Sequence, residues 1–152
     1  MAETVDFASS TKRFSLPYLY SGQSRKEFFV NEAFTILDFL LHSIVQGEES
    51  APPTSATQGE SWIVAENATG DWHGCDGRLA CLSPGGWLYI EPREGMTVHD
   101  RSTGQCRIFF EGWQKTLMVQ EPIGGLTVDT EARAAVNSLV AALQVLGILP
   151  RA

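Results

Sequence analysis

The chain has 152 residues, of which 43% are hydrophobic and 19% charged, with a net charge of −7. That length fits one domain with enough apolar surface to bury a core. The acidic balance, with no basic cluster beyond the pairs Lys12-Arg13 and Arg25-Lys26, argues against binding nucleic acid through its phosphates.

Residues 1–13 are small and polar without periodicity, and are expected to form a flexible N-terminal arm. No apolar run suits a signal peptide or a membrane span, so folding in a cytoplasm and no membrane insertion are expected. Residues 14–46 are expected to hold an extended strip followed by a helix. Pro17 biases Leu16 away from helical angles, which makes Phe14, Leu16, Tyr18 and Tyr20 anchors of an extended segment and candidates for docking. Ser24 and Glu27 have the spacing of a capping box, and the periodicity that follows predicts a helix from about Arg25 to about His42. Phe29, Ala33, Ile36, Leu37, Leu40 and Ile44 share one face of it, while Phe28, Phe34, Phe39 and Leu41 widen the apolar stripe. A stripe that wide predicts burial on more than one side, either in a larger core or against another subunit.

Residues 47–59 are rich in Glu, Ser, Thr and Pro and read as a linker, stiffened by Pro52-Pro53. Residues 60–128 read as a β-rich domain. Its short apolar runs are Trp62–Val64, Leu79–Leu82, Trp87–Ile90, Met96–His99 and Arg107–Phe110, with hairpin breaks at Pro84-Gly85-Gly86 and Ser102-Thr103-Gly104. They predict a small antiparallel meander. In Trp87-Leu88-Tyr89-Ile90 both parities are apolar, and Ile108-Phe109-Phe110 behaves alike, so the sheet is expected to be covered on both faces.

Residues 129–147 predict a C-terminal oligomerisation helix. Asp129 is its expected N-cap, Glu131 suits the positive end of the dipole, and Gly147 followed by Pro150 stops it. Ala132, Val136, Leu139, Leu143 and Leu146 recur at alternating steps of four and three, the spacing of a coiled-coil seam. A helix so short is marginal alone in water, so the seam must be covered by its own domain or by copies of itself. The whole chain is thus expected to be α+β: an N-terminal helix, an antiparallel meander and a C-terminal helix with a short heptad seam.

The chemistry of enzymes is thinly represented. The sequence holds no nucleophile elbow, P-loop, dinucleotide fingerprint, metalloprotease helix or paired Cys-x-x-Cys motif. Cys75, Cys81 and Cys106 are odd in number and read as reduced thiols. Asp71, His73, Cys75 and Asp76 are metal-ligand types in a Gly-rich turn, but their spacing matches no usual site, and neither a metal nor a cofactor is expected. The chain is read as a non-enzyme. Trp72, Trp87, Tyr89 and Trp113, lying among turns, are candidates for stacking on a sugar, weighed against the commoner role of such rings in a small β-core.

Leu16-Pro17, Gly22-Gln23, Lys26-Glu27, Asn31-Glu32-Ala33 and Leu37-Asp38 resemble the opening of a phage-derived family carrying a domain of unknown function. That family occurs in tailed phages, prophages and gene transfer agents of alphaproteobacteria. The resemblance continues through Pro52-Pro53, Gly59, Trp62-Ile63-Val64, Gly70-x-Trp72-x-Gly74, Leu79-Ala80, Gly86-Trp87 and Pro92-Arg93-Glu94-Gly95. Further on, Asp129-x-Glu131-Ala132-Arg133 is similar to C-terminal helices of phage fibre proteins. The family often has His where this chain has Cys75, so no ligand role carries over to that position, and no catalytic residues carry over at all. The resemblance implies a virion protein made in the bacterial host cytoplasm, a tail-fibre or spike subunit for host attachment. Its implied partners are two further copies in a homotrimer, the baseplate or other virion proteins, and a host surface polysaccharide. A carbohydrate-binding module is the second reading, and a glycan-degrading spike enzyme the third.

Overall fold

Apolar parity on both sides of the central strands has a direct structural outcome in the computed structural model, which describes residues 10–11, 13–14, 16–19, 21–120, 124 and 129–150. Most of the expected arm, together with Tyr20, lies outside the described residues. The described elements run α1 (Lys26–Leu40), β1 (Ile44–Val45), β2 (Glu48–Glu49), β3 (Ser61–Val64), a 3-10 turn (Gly70–Trp72), β4 (Leu79–Ser83), β5 (Gly86–Ile90), β6 (Thr97–Asp100), β7 (Gln105–Phe109), β8 (Trp113–Gln114) and α2 (Thr130–Val145). The fold is α+β.

The strands form two four-stranded sheets, β1-β6-β7-β8 and β2-β3-β4-β5. The five expected strands are present as β3 to β7 and pair antiparallel, but the single expected meander is split into β3-β4-β5 and β6-β7, one in each sheet, and β8 adds an unexpected antiparallel strand to the second. What the meander omits is the segment just before it. Ile44-Val45 pairs parallel to β6, and Glu48-Glu49 pairs parallel to β3, so one short stretch of chain is stitched into both sheets. Residues 47–59 therefore are not a spacer. Ile63 N–H donates to the Gly47 carbonyl, Ala65 N–H to Glu49 and Thr69 N–H to Ser50. Strands of two residues carry no readable alternation, which is why composition pointed to a linker.

In the β2–β5 sheet, Ile63, Leu79, Cys81, Leu88 and Ile90 share one face, and Trp62, Val64, Ala80, Trp87 and Tyr89 the other, as the pairings Leu79↔Ile90 and Ala80↔Tyr89 require. The first face packs on Val45 and Val98 of the other sheet, on Met96 just before β6 and on Ile36 of α1. The second is closed by the loop after β3, which folds Ala68 and Trp72 over it. Both faces are dry, each by a different part of the chain. Full burial of a side chain of this size contributes roughly 1.5–3 kcal/mol, so the two clusters are the main source of stability.

The two helices begin differently. Asp129 caps α2 as expected, its carboxylate accepting from Ala132 N–H at 2.8 Å. The capping box at Ser24 does not form. Instead α1 starts at Lys26 after Arg25 in a left-handed conformation, with φ 55°, and with no side-chain cap. That one-residue shift moves Glu27 from the third to the second helical position, where it cannot complete the reciprocal pair. At the other end of α2, Gly147 has φ +69°. Its N–H donates to Gln144 and that of Ile148 to Leu143, the paired bonds that end a helix at glycine.

Candidate functional site

The aromatic residues separate into two groups. Trp62, Trp72 and Trp87 form a compact triad, with ring centroids 5.1–6.1 Å apart and two of the three pairs edge to face. Trp72 is fully buried, at 0% exposure, so its expected role as a sugar platform is corrected: it is the keystone of the second core. Trp87 is half-buried against it, and Tyr89 donates its hydroxyl to the Asp71 carbonyl at 2.5 Å, holding the same loop. Trp113 lies apart, in the core between the sheets, edge to face with Phe109 and donating Nε1–H to the Gly77 carbonyl at 2.8 Å. The four rings do not make one platform. The signal that distinguishes them is local: Trp72 sits in a glycine-bounded 3-10 turn, which aims its ring back at the sheet.

The turn of ligand-type residues is likewise structural. Both Asp76 oxygens accept backbone N–H groups, from Asn67 and Ala68, at 3.0 and 3.1 Å. Cys81 is sealed in the core, and burial pushes its thiol up to about 12, so it carries no thiolate near neutral pH.

A charged group missed by sequence reasoning ties the sheets together. Arg107 on β7 is inward-facing and buried; its Nε donates to Asp100 Oδ2 at 2.6 Å, and its Nη1 to Glu48 at 2.6 Å. Ser102 donates twice to the other Asp100 oxygen, from N–H at 2.9 Å and from Oγ at 2.6 Å. Burial by itself would raise the Asp100 carboxyl, but the Ser102 and Arg107 hydrogen bonds and the Arg107 charge outweigh it and hold it below its ordinary value. Asp100 and Glu48 belong to different sheets, so Arg107 bridges them. The readable sign was parity: Gln105, Arg107 and Phe109 alternate with exposed Cys106 and Ile108.

These two sheets, with all but the first turn of α1, are the part of the chain that matches a known family. Residues 30–114 match the protein of unknown function DUF2793. The chain belongs to the DUF2793 family. No curated protein matches it. The DUF2793 match ends on the last residue of β8, so α2 and its seam lie beyond the family region.

Past the DUF2793 region, the described residues return to the β1–β8 sheet at Thr116, which donates its hydroxyl to Gln105 at 2.9 Å, and again after α2. Gly147 accepts from Cys106 N–H at 2.5 Å, Ile148 accepts from the Thr116 hydroxyl at 2.6 Å, and Leu149 is buried. No residue of the helix is fully buried. Of its seam, Leu143 is half-buried, Ala132 and Val136 are exposed, and Leu139 and Leu146 are 61% and 67% exposed. Much of the wide stripe on α1 is also open: Ile36 is the buried residue, while Phe28 and Phe34 are 64% and 63% exposed. Among the described residues, α1 meets the core through Ile36, Phe39 and Leu40, and the rest of its apolar stripe is not covered. Of the expected docking strip, Phe14 and Leu16 are half-buried and pack on the core between the sheets, and Tyr18 is exposed. Among the described residues, no helix is long and apolar enough to cross a membrane.

Proposed function

We propose that this DUF2793 protein is a structural, non-enzymatic virion subunit of a tailed phage or gene transfer agent. It is a tail-fibre or spike protein that trimerises through α2 and presents its two-sheet domain to the host surface. One observation carries the reading: a well-capped helix with a heptad seam has no buried residue within its own chain. Exposed leucines at that spacing are covered when copies associate. The open phenylalanines of α1 add a second apolar surface for the assembly or for a neighbouring virion protein. The resemblance to phage-derived sequences supports the setting, and the reading rests on it there.

Light scattering across a concentration series tests the assembly. The wild-type chain is expected at three times its monomer mass and Leu139→Asp with Leu143→Asp at the monomer mass; a wild-type monomer, or an unchanged mass in the double variant, removes the seam from the account. Immunogold labelling of purified particles with antibody to this chain tests the setting. Label at the tail or on projecting spikes is expected, and unlabelled particles overturn the virion role.

A further inference from the structure

The chain carries 11 lysines and arginines against 18 acidic residues, yet three of those cations, Arg13, Arg78 and Arg93, line one cleft of about 210 Å³. The cleft opens between the N-terminal strip, α1 and the end of β5. Phe14, Ile36 and Ile90 contribute its apolar wall. We propose that it binds an acidic saccharide, with the carboxylate of a uronic-acid residue held by Arg13 and Arg93 and the C–H face of the ring against that wall.

The arginines are held in different ways. The Arg13 guanidinium sits 5.0 Å from the centroid of the Phe14 ring, which orients it without neutralising it. Arg93 donates its Nε–H to the Arg13 carbonyl at 2.9 Å, so it is tied to the same segment through a neutral acceptor. Among the described residues, no acidic side chain lies within ion-pair distance of either. Arg78 is different: its Nε lies 2.8 Å from Glu91, a second charged wall residue. Three guanidinium groups against that one carboxylate leave two positive charges facing the cleft.

This arrangement selects among anions. A planar guanidinium fork matches carboxylate and phosphate alike. Glu91 repels a doubly charged phosphate but accepts hydrogen bonds from sugar hydroxyls, and the apolar wall has no use for a bare ion. A singly charged ring with one apolar face satisfies every wall. Of the four rings that the sequence suggests for sugar contact, Trp72, Trp87 and Trp113 lie outside the cleft and Tyr89 lines it.

Calorimetric titration of the full chain tests the proposal, using oligogalacturonate, its methyl ester and inorganic phosphate as probes. Saturable binding of oligogalacturonate is expected. It should weaken at least about tenfold on esterification, and by a similar factor in Arg13→Gln and in Arg93→Gln, with further loss as salt is raised. No saturable binding of oligogalacturonate, equal binding of acid and ester, tighter binding of phosphate, or wild-type binding in both variants overturns it. The ester comparison uses wild-type protein, so it decides even if a variant misfolds. The site rests on the host-attachment part of the function proposed above and not on its assembly. A trimer that ignores oligogalacturonate defeats the site alone, and a monomer that binds it defeats the assembly alone.

Discussion

Arg107 and Arg78 are two arginines in ion pairs of similar length, 2.6 and 2.8 Å, and their surroundings give them unequal weight. The side chains of Arg107 and Asp100 are 4% and 0% exposed, whereas those of Arg78 and Glu91 are 42% and 60% exposed. Replacing Arg107 by Met leaves Asp100 buried and unpaired, which is expected to lower stability by about 3–5 kcal/mol in urea titrations. Arg78→Met should lower it by about 1 kcal/mol or less, because water already solvates that pair. The same contrast has a pH signature. The folded-state pKa of Asp100 is depressed, so its contribution is present above the ordinary 3.8 and is lost as pH falls through the lower folded value. Wild-type stability should drop in that acid window. The drop should shrink in Asp100→Asn, and an acid limb identical in the two proteins would count against Asp100 as its source.

At the scale of elements, the tryptophan triad and α2 show two ways of treating apolar surface. The loop from Ala65 to Arg78 has little regular structure beyond its 3-10 turn, and it stays in place because Trp72 plugs the face made by Trp62, Val64, Ala80 and Trp87. Trp72→Ala removes the plug and is expected to cost about 3–5 kcal/mol, measured by denaturant melts, with loss of the near-ultraviolet signal of the packed indoles. α2 is the opposite case. Its ends are specified by Asp129 and Gly147, so local chemistry makes the helix, but none of its side chains is buried to hold it against the domain. Such a helix gains most of its stability from tertiary or quaternary packing, which is the physical reason to look for its partner in other copies of the chain.

For the whole molecule, two cores share one sheet as a common wall, and a bridging arginine closes the seam between the sheets. The double parity of Trp87–Ile90 foretold that wall, because alternation along a strand is a local property that survives any tertiary arrangement. The positions of β3 to β7, to within one or two residues, and the cap of α2 were legible for the same reason: turn residues and capping groups act over three or four positions. The parallel pairings of Ile44-Val45 and Glu48-Glu49 were not, since two residues have no period and their partners lie far along the chain. Nor was the start of α1, where an arginine in a left-handed turn replaces the capping box.

The sequence by itself determined the α+β composition, the doubly apolar central strands and the capped C-terminal helix with its seam, since each follows from neighbours a few residues apart. Tertiary structure alone decided that Trp72 is core and not surface, that Arg107 joins Asp100 to Glu48, and that Arg13, Arg78 and Arg93 meet around one cleft. Burial and charge proximity depend on which distant segments are brought together, and no local spacing encodes that.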